Sequence, residues 1–196
     1  ATAIGFNAGL STQSAYAIAL GYQAGRNFQS TSAIAIGSNA GQTNQANRTI
    51  AIGEAAGSNA QASGAIAIGR QAGQLNQSSQ TVALGFNAAV NEQREQAIAI
   101  GFASGYSTQG AYAVSMGQYN PQQWVQGTYA VSVGYMAGQS NQQTTAVAIG
   151  ARAGQLNQGS IAIAMGSNAG QSNQGSYGIA IGANAGQSNQ GAYAIA

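Results

Sequence analysis

Apolar and polar positions alternate along this chain in short bursts that return at one period. A glycine closes each burst, at Gly5, Gly21, Gly37, Gly53, Gly69, Gly85, Gly101, Gly117, Gly134, Gly150, Gly166 and Gly182, and every spacing is 16 residues except one of 17. The residue before this glycine is Ile, Leu, Val or Met in all twelve copies. The residue two earlier is Ile or Val in eleven, Thr2 being the exception, and Ala or Ser stands between them each time. A second glycine follows four residues later in ten copies, and a glutamine eight residues later in eleven, with Val125 the departure. Low complexity alone does not hold apolar residues in phase, so the chain reads as an ordered array and not as a Gln/Asn-rich linker.

The A-I-A-I burst alternates with period two and is rich in β-branched residues, which predicts a strand of about five residues. Sixteen residues with two glycines leave no room for a helical return, whereas strand, turn, second extended piece and turn fit. A strand that recurs in one direction without a helical crossover pairs with its next copy by winding into a coil. The expectation is a single array over residues 1–196, a segment of a longer fibrous protein, with an irregular repeat at 118–127.

In this reading Ile18, Ile34, Ile50 and Ile66, with Leu20, Ile36, Ile52 and Ile68, fill the interior of the coil. Ala17, Ala19, Ala33, Ala35, Ala65, Ala67, Ala97 and Ala99 face the other way. A strand apolar on both faces is normally covered on both, so copies of the chain are expected to close over the Ala side. The glycines at Gly21, Gly37, Gly53 and Gly69 are expected to form one structural ladder. The glutamines at Gln45, Gln77, Gln109, Gln158, Gln174 and Gln190 are expected to form another, of stacked amides. A flat polar strip for sugars or ice is the functional alternative for the glutamines.

Composition removes most chemistry. The chain holds five Arg, three Glu and no His, Cys, Asp or Lys, so the usual zinc sites, catalytic triads, EF-hand loops and Schiff-base lysines cannot be built. No enzyme activity, metal or cofactor is expected. The arginines stand singly at 26, 48, 70, 94 and 152 and form no phosphate-binding stripe, so no nucleic-acid partner is expected. No apolar run approaches the roughly 18 residues of a membrane span, and no membrane insertion is expected in this segment. The absence of cysteine suits an extracellular chain stabilised by other means.

The units AIAIG at 33–37, 65–69 and 97–101 and AIAMG at 162–166, each followed by a small polar turn, resemble the head repeats of YadA-like trimeric autotransporter adhesins. The likeness runs the length of the chain. It implies an all-β fold, a β-solenoid wound as a left-handed parallel β-roll of about twelve 16-residue coils. It also implies a homotrimer about one axis, no enzymatic site, and an extracellular head or shaft that adheres to surfaces. The unit is longer than that family's usual repeat. The N-A-G-Q-S-N-Q stretches at 168–174 and 184–190 are closer to fibre-like proteins of viruses, which leaves a cell surface or a virion surface as the location.

Candidate contact residues are few. The segment 118–127 carries the only Pro and the only Trp, and Tyr119 and Trp124 there are the residues read as contacts for a sugar ring or a partner protein. Tyr16, Tyr112, Tyr129, Tyr177 and Tyr193 precede strands, while Phe6, Tyr22, Phe86, Phe102 and Tyr135 follow the marker glycine; both sets are expected at coil edges or between chains. Glu92, Arg94 and Glu95 read as a surface ion-pair cluster. Asn47-Arg48-Thr49 and Asn76-Gln77-Ser78 match the glycosylation pattern. The sequence therefore predicts a structural or adhesive fibre segment whose partner is a host surface protein or glycan. The alternatives are a single-chain Gln/Asn-rich solenoid stacking end to end into a functional amyloid-like filament, and a glycan- or ice-binding module.

Overall fold

The structure is a computed structural model that describes residues 1–117 and 125–196. The chain forms two compact units, Ala1–Gln96 and Ala97–Ala196. Each is a parallel β-solenoid, and no helix occurs among the described residues.

In the first unit the A-I-A-I bursts give Thr2–Ile4, Ile18–Leu20, Ile34–Ile36, Ile50–Ile52, Ile66–Ile68 and Val82–Leu84, stacked in sequence order. Each pairs in parallel with its next copy at an offset of 16, so that Ile34 lies over Ile50 and Ala35 over Ala51. The strands are three residues long, shorter than the five expected, because the glycine that follows turns the chain at once. The second extended piece forms its own parallel sheet, Ser11–Gln13, Asn27–Gln29, Thr43–Gln45, Asn59–Gln61 and Leu75–Gln77. Both turns of a coil are closed by backbone bonds, such as Ala24 N–H to Gly21 O at 3.3 Å and Ala33 N–H to Ser30 O at 3.2 Å.

The second unit repeats this plan with Ile98–Ile100, Val114–Met116, Val131–Val133, Val147–Ile149, Ile163–Met165 and Ile179–Ile181. Its second extended pieces form two separate parallel pairs, Thr108–Gln109 beside Val125–Gln126 and Leu156–Gln158 beside Ser172–Gln174. Gln109 pairs with Gln126 at an offset of 17, and Gln126 bridges to Gln142 at 16. The extra residue therefore enters between Gly117 and Val125, and Gln126 takes the glutamine position that Val125 holds in the sequence count.

The marker glycines form the expected ladder for two reasons. At Gly21, Gly37, Gly53 and Gly69 φ lies between +126° and +128°, and an added Cβ would stand 2.5–2.7 Å from the carbonyl oxygen of the next marker glycine. No L side chain has room there. The remaining corners use non-glycine residues in the left-handed region, one coil placing Asn39, Asn44 and Arg48 at φ of 56°, 55° and 59°. Asparagine tolerates that region better than most residues, which accounts for its recurrence at the turns.

The interior is the reverse of the one read from the sequence. Ala17, Ala19, Ala33, Ala35, Ala65 and Ala67 are fully enclosed, as are Ala97, Ala99, Ala162 and Ala164 in the second unit. Ile18, Leu20 and Leu84 point outward and are 39–42% exposed. The cause is the narrowness of the coil: three-residue strands joined by tight turns leave space for methyl groups and one extended side chain, and not for facing rows of isoleucine.

Candidate functional site

The extended side chain that spans the interior is the glutamine. Gln29, Gln45, Gln61, Gln77, Gln93, Gln109, Gln142, Gln158 and Gln174 are all at most 2% exposed. Most of these amides cross the coil to backbone carbonyls at the first sheet, as in Gln29 Nε2 to Ile18 O at 2.7 Å and to Ala33 O at 3.1 Å. Gln109 bonds Ile98 O at 2.7 Å, and Gln190 bonds Ile179 O at 2.7 Å. The amide also donates to the glutamine of the following coil. In the first unit Gln45, Gln61 and Gln77 donate to Gln61, Gln77 and Gln93 at 3.0, 2.8 and 3.0 Å. In the second, Gln126, Gln142, Gln158 and Gln174 donate onward to Gln142, Gln158, Gln174 and Gln190 at 3.1–3.2 Å. The first ladder is interrupted once, where Gln45 Oε1 has no donor.

This burial overturns the reading of the glutamines as an exposed strip for sugars or ice. It also explains why a second glycine sits four residues before the glutamine. A Cβ at Gly25 would lie 2.7 Å from Gln29 Oε1, and one at Gly154 2.5 Å from Gln158 Oε1. The amide packs on the bare backbone, so the two residues are one device.

Exposed polar side chains stack in the same register. Asn141, Asn157 and Asn173 donate in turn to Asn157, Asn173 and Asn189 at 3.0–3.1 Å, and Asn168 donates to Asn184 at 3.1 Å. The aromatics lie at corners as expected and are exposed: Tyr112 stacks on Tyr129 and Tyr177 on Tyr193 with centroids 4.9 Å apart, and Phe6 stacks on Tyr22 at 5.6 Å. Glu54 and Arg70 pair at 3.2 Å, and the Arg70 guanidinium lies 5.3 Å from the Phe86 ring centre. Within the expected charge cluster, Arg94 meets Glu92 at 3.7 Å, on exposed side chains where such a pair contributes little.

Tyr119 and Trp124 lie outside the described residues. Thr49 of the first glycosylation pattern is buried and donates to Ala46 O at 3.1 Å. Among the described residues no group of three His, Cys, Asp or Glu is placed to hold a metal ion. Among the described residues no helix is long and apolar enough to cross a membrane.

What remains as a candidate site is the outer side of the first sheet. In the first unit Ile18, Ile34, Ile50, Ile66 and Val82 form one column, and Leu20, Ile36, Ile52, Ile68 and Leu84 form a second beside it. The second unit carries matching columns, with Met116, Ile149, Met165 and Ile181 between 37% and 60% exposed. These residues stand out in the sequence by their alternation, but they lie on the outer side of the strand and not on the inner side expected. No family model, no curated protein and no solved structure matches the chain.

Proposed function

We propose that the chain is a non-enzymatic structural and adhesive fibre segment that assembles as a homotrimer, its aliphatic columns packed about a common axis. The observation that carries this reading is the pair of ungapped aliphatic columns left on the outside of a coil whose own interior is already full. Large contiguous apolar surfaces mark places where another surface docks, and a surface repeated identically along a coil is best covered by the same surface of another copy. Covering two side chains per coil, each about a third exposed, contributes roughly 2–3 kcal/mol per coil and chain at 25 cal/mol per Å². The resemblance to YadA-like heads supports three chains, left-handed winding of about twelve coils, and display outside a cell or on a virion. Such a fibre gives reach, and many identical weak contacts give avidity toward a host surface protein or glycan.

A second reading is favoured by the in-register amide ladders, which are the interactions of an amyloid-like filament. Light scattering of the native chain separates the two. The trimer gives one sharp species at three times 19.5 kDa, and Ile50→Lys with Ile52→Lys converts it to a folded monomer. A native monomer, or polymers without a defined mass, would overturn the trimer; open polymers would favour the filament.

A further inference from the structure

In a solenoid of this kind every side-chain column continues from coil to coil, and one interruption leaves a slot. At the corner that leads into the aliphatic strand, the first unit carries Tyr16, Ser32, Arg48, Gly64, Gln80 and Gln96, one per coil. All but Gly64 bring a side chain, and Gln96 donates to Gln80 Oε1 at 3.0 Å as a rung of the column. At Gly64 the rung is absent. A Cβ built there would meet nothing closer than 3.6 Å, whereas at the marker glycines Gly21, Gly37, Gly53 and Gly69 it would stand 2.5–2.7 Å from backbone. The result is a cleft of about 480 Å³ lined by Asn47, Arg48, Ser63, Gly64 and Gln80 and reaching Thr31 and Ser32 of the preceding coil. Arg48 and Gln80 stand two coil spacings apart, roughly 9.6 Å.

The chemistry of the cleft is specific. Its lining is hydroxyls, amides and one guanidinium, with no aromatic or large aliphatic side chain. The ion pairs of this unit, Glu54 with Arg70 and Glu92 with Arg94, do not engage Arg48. A guest that completes the column is one rung thick, planar, able to bond an amide on one side and carry negative charge toward a guanidinium on the other. A carboxylate meets each requirement, and guanidinium–carboxylate bonds are the strong charge-assisted kind. The surrounding hydroxyls and amides suit a polyhydroxylated ring and offer nothing to bury the apolar side chains of a peptide.

We infer that the Gly64 cleft is a binding site for an acidic glycan, with the carboxylate of a uronic-type sugar seated between Arg48 and Gln80. The inference deepens the adhesive reading and rests on it for its biological sense, but the cleft lies within one protomer and its test is separate from the oligomer mass.

The probe is a galacturonic acid hexamer, with maltohexaose as the uncharged counterpart, titrated calorimetrically into the native protein at low and physiological salt. Saturable binding of the acidic hexamer is expected, with maltohexaose at least about tenfold weaker. Arg48→Gln is expected to weaken the hexamer by about tenfold or more. Gly64→Asn restores the missing rung in a backbone region asparagine tolerates, and is expected to abolish binding while leaving the melting temperature unchanged or raised. Ala60→Asn, on the same coil but outside the cleft, is expected to leave binding unchanged. Absence of hexamer binding, equal binding of maltohexaose, or full binding by Gly64→Asn would each overturn the proposal. So would equal or tighter binding of a hexaglutamate peptide, which would mark the cleft as a peptide site. Each outcome is read alongside the native mass, so failure of the trimer and failure of the cleft are distinguishable.

Discussion

Replacing Gln158 by alanine tests whether the amide ladder holds the coil together. Gln158 is fully buried and donates to Val147 O at 2.8 Å, Ala162 O at 3.2 Å and Gln174 Oε1 at 3.2 Å, while accepting from Gln142 Nε2 at 3.1 Å. The two Nε2 protons are shared among three acceptors, so alanine removes the equivalent of about three bonds, at about 1 kcal/mol each, and leaves Gln174 Oε1 buried without this donor, which costs about 1–3 kcal/mol more. Some of the backbone carbonyls keep their sheet bonds, so the expected loss is about 4–6 kcal/mol, a large part of the stability of a unit of this size. Urea unfolding followed by circular dichroism at fixed protein concentration measures it. The matched control is Asn157→Gly, which deletes two exposed ladder bonds at a φ of 53° that glycine adopts freely. It is expected to cost less than about 1 kcal/mol. If Gln158→Ala stays within about 1 kcal/mol of the native protein, the ladder is not what closes the coil and the argument fails.

Three further outcomes follow from the same geometry. Gly53→Ala puts a Cβ 2.6 Å from Gly69 O at a φ of +126°, and a loss of more than about 2 kcal/mol is expected in the same unfolding assay. Ala164→Val overfills an interior position that is fully enclosed and is expected to cost about 1–3 kcal/mol, whereas the outward Ile163→Val costs under about 1.5 kcal/mol. Ser104 Oγ lies 2.8 Å from both the hydroxyl and the carbonyl oxygen of Ser115, so its single proton goes to one of them, and Ala137 and Ala148 hold the equivalent places two coils on. A double-mutant cycle to alanine should therefore give a coupling of about 1 kcal/mol, with the double variant close to native stability.

The period, the parallel pairing, the glycine ladder and the stacking of glutamine on glutamine were all legible in the sequence, because each depends on spacing alone. The side of the strand that faces inward was not, because both sides are apolar. Alternation assigns Ile34 and Ile36 to one face and Ala33 and Ala35 to the other, and the larger residues are the natural choice for an interior. The deciding signal was the glycine four residues before all but one of the marker-spaced glutamines, Gln93 having Ala89 there. Gly25 with Gln29 and Gly154 with Gln158 are amides packed on bare backbone, and a coil that houses that amide has space beside it for alanine methyls only. Val125 is a second example: counted along the chain it breaks the glutamine ladder, while the one-residue insertion before it moves Gln126 into the vacant place. The cleft at Gly64 escaped notice because a glycine among small polar residues stands out only when the column it interrupts is laid out coil by coil.

The central claim is that the amides are inside and the isoleucines outside, and side-chain amide hydrogen exchange by NMR tests it most directly. The account predicts that the Nε2 protons of Gln142, Gln158 and Gln174 exchange orders of magnitude more slowly than the Nδ2 protons of Asn141, Asn157 and Asn173 on the same coils. Equal, fast exchange at both sets would place the glutamines in water and contradict the account.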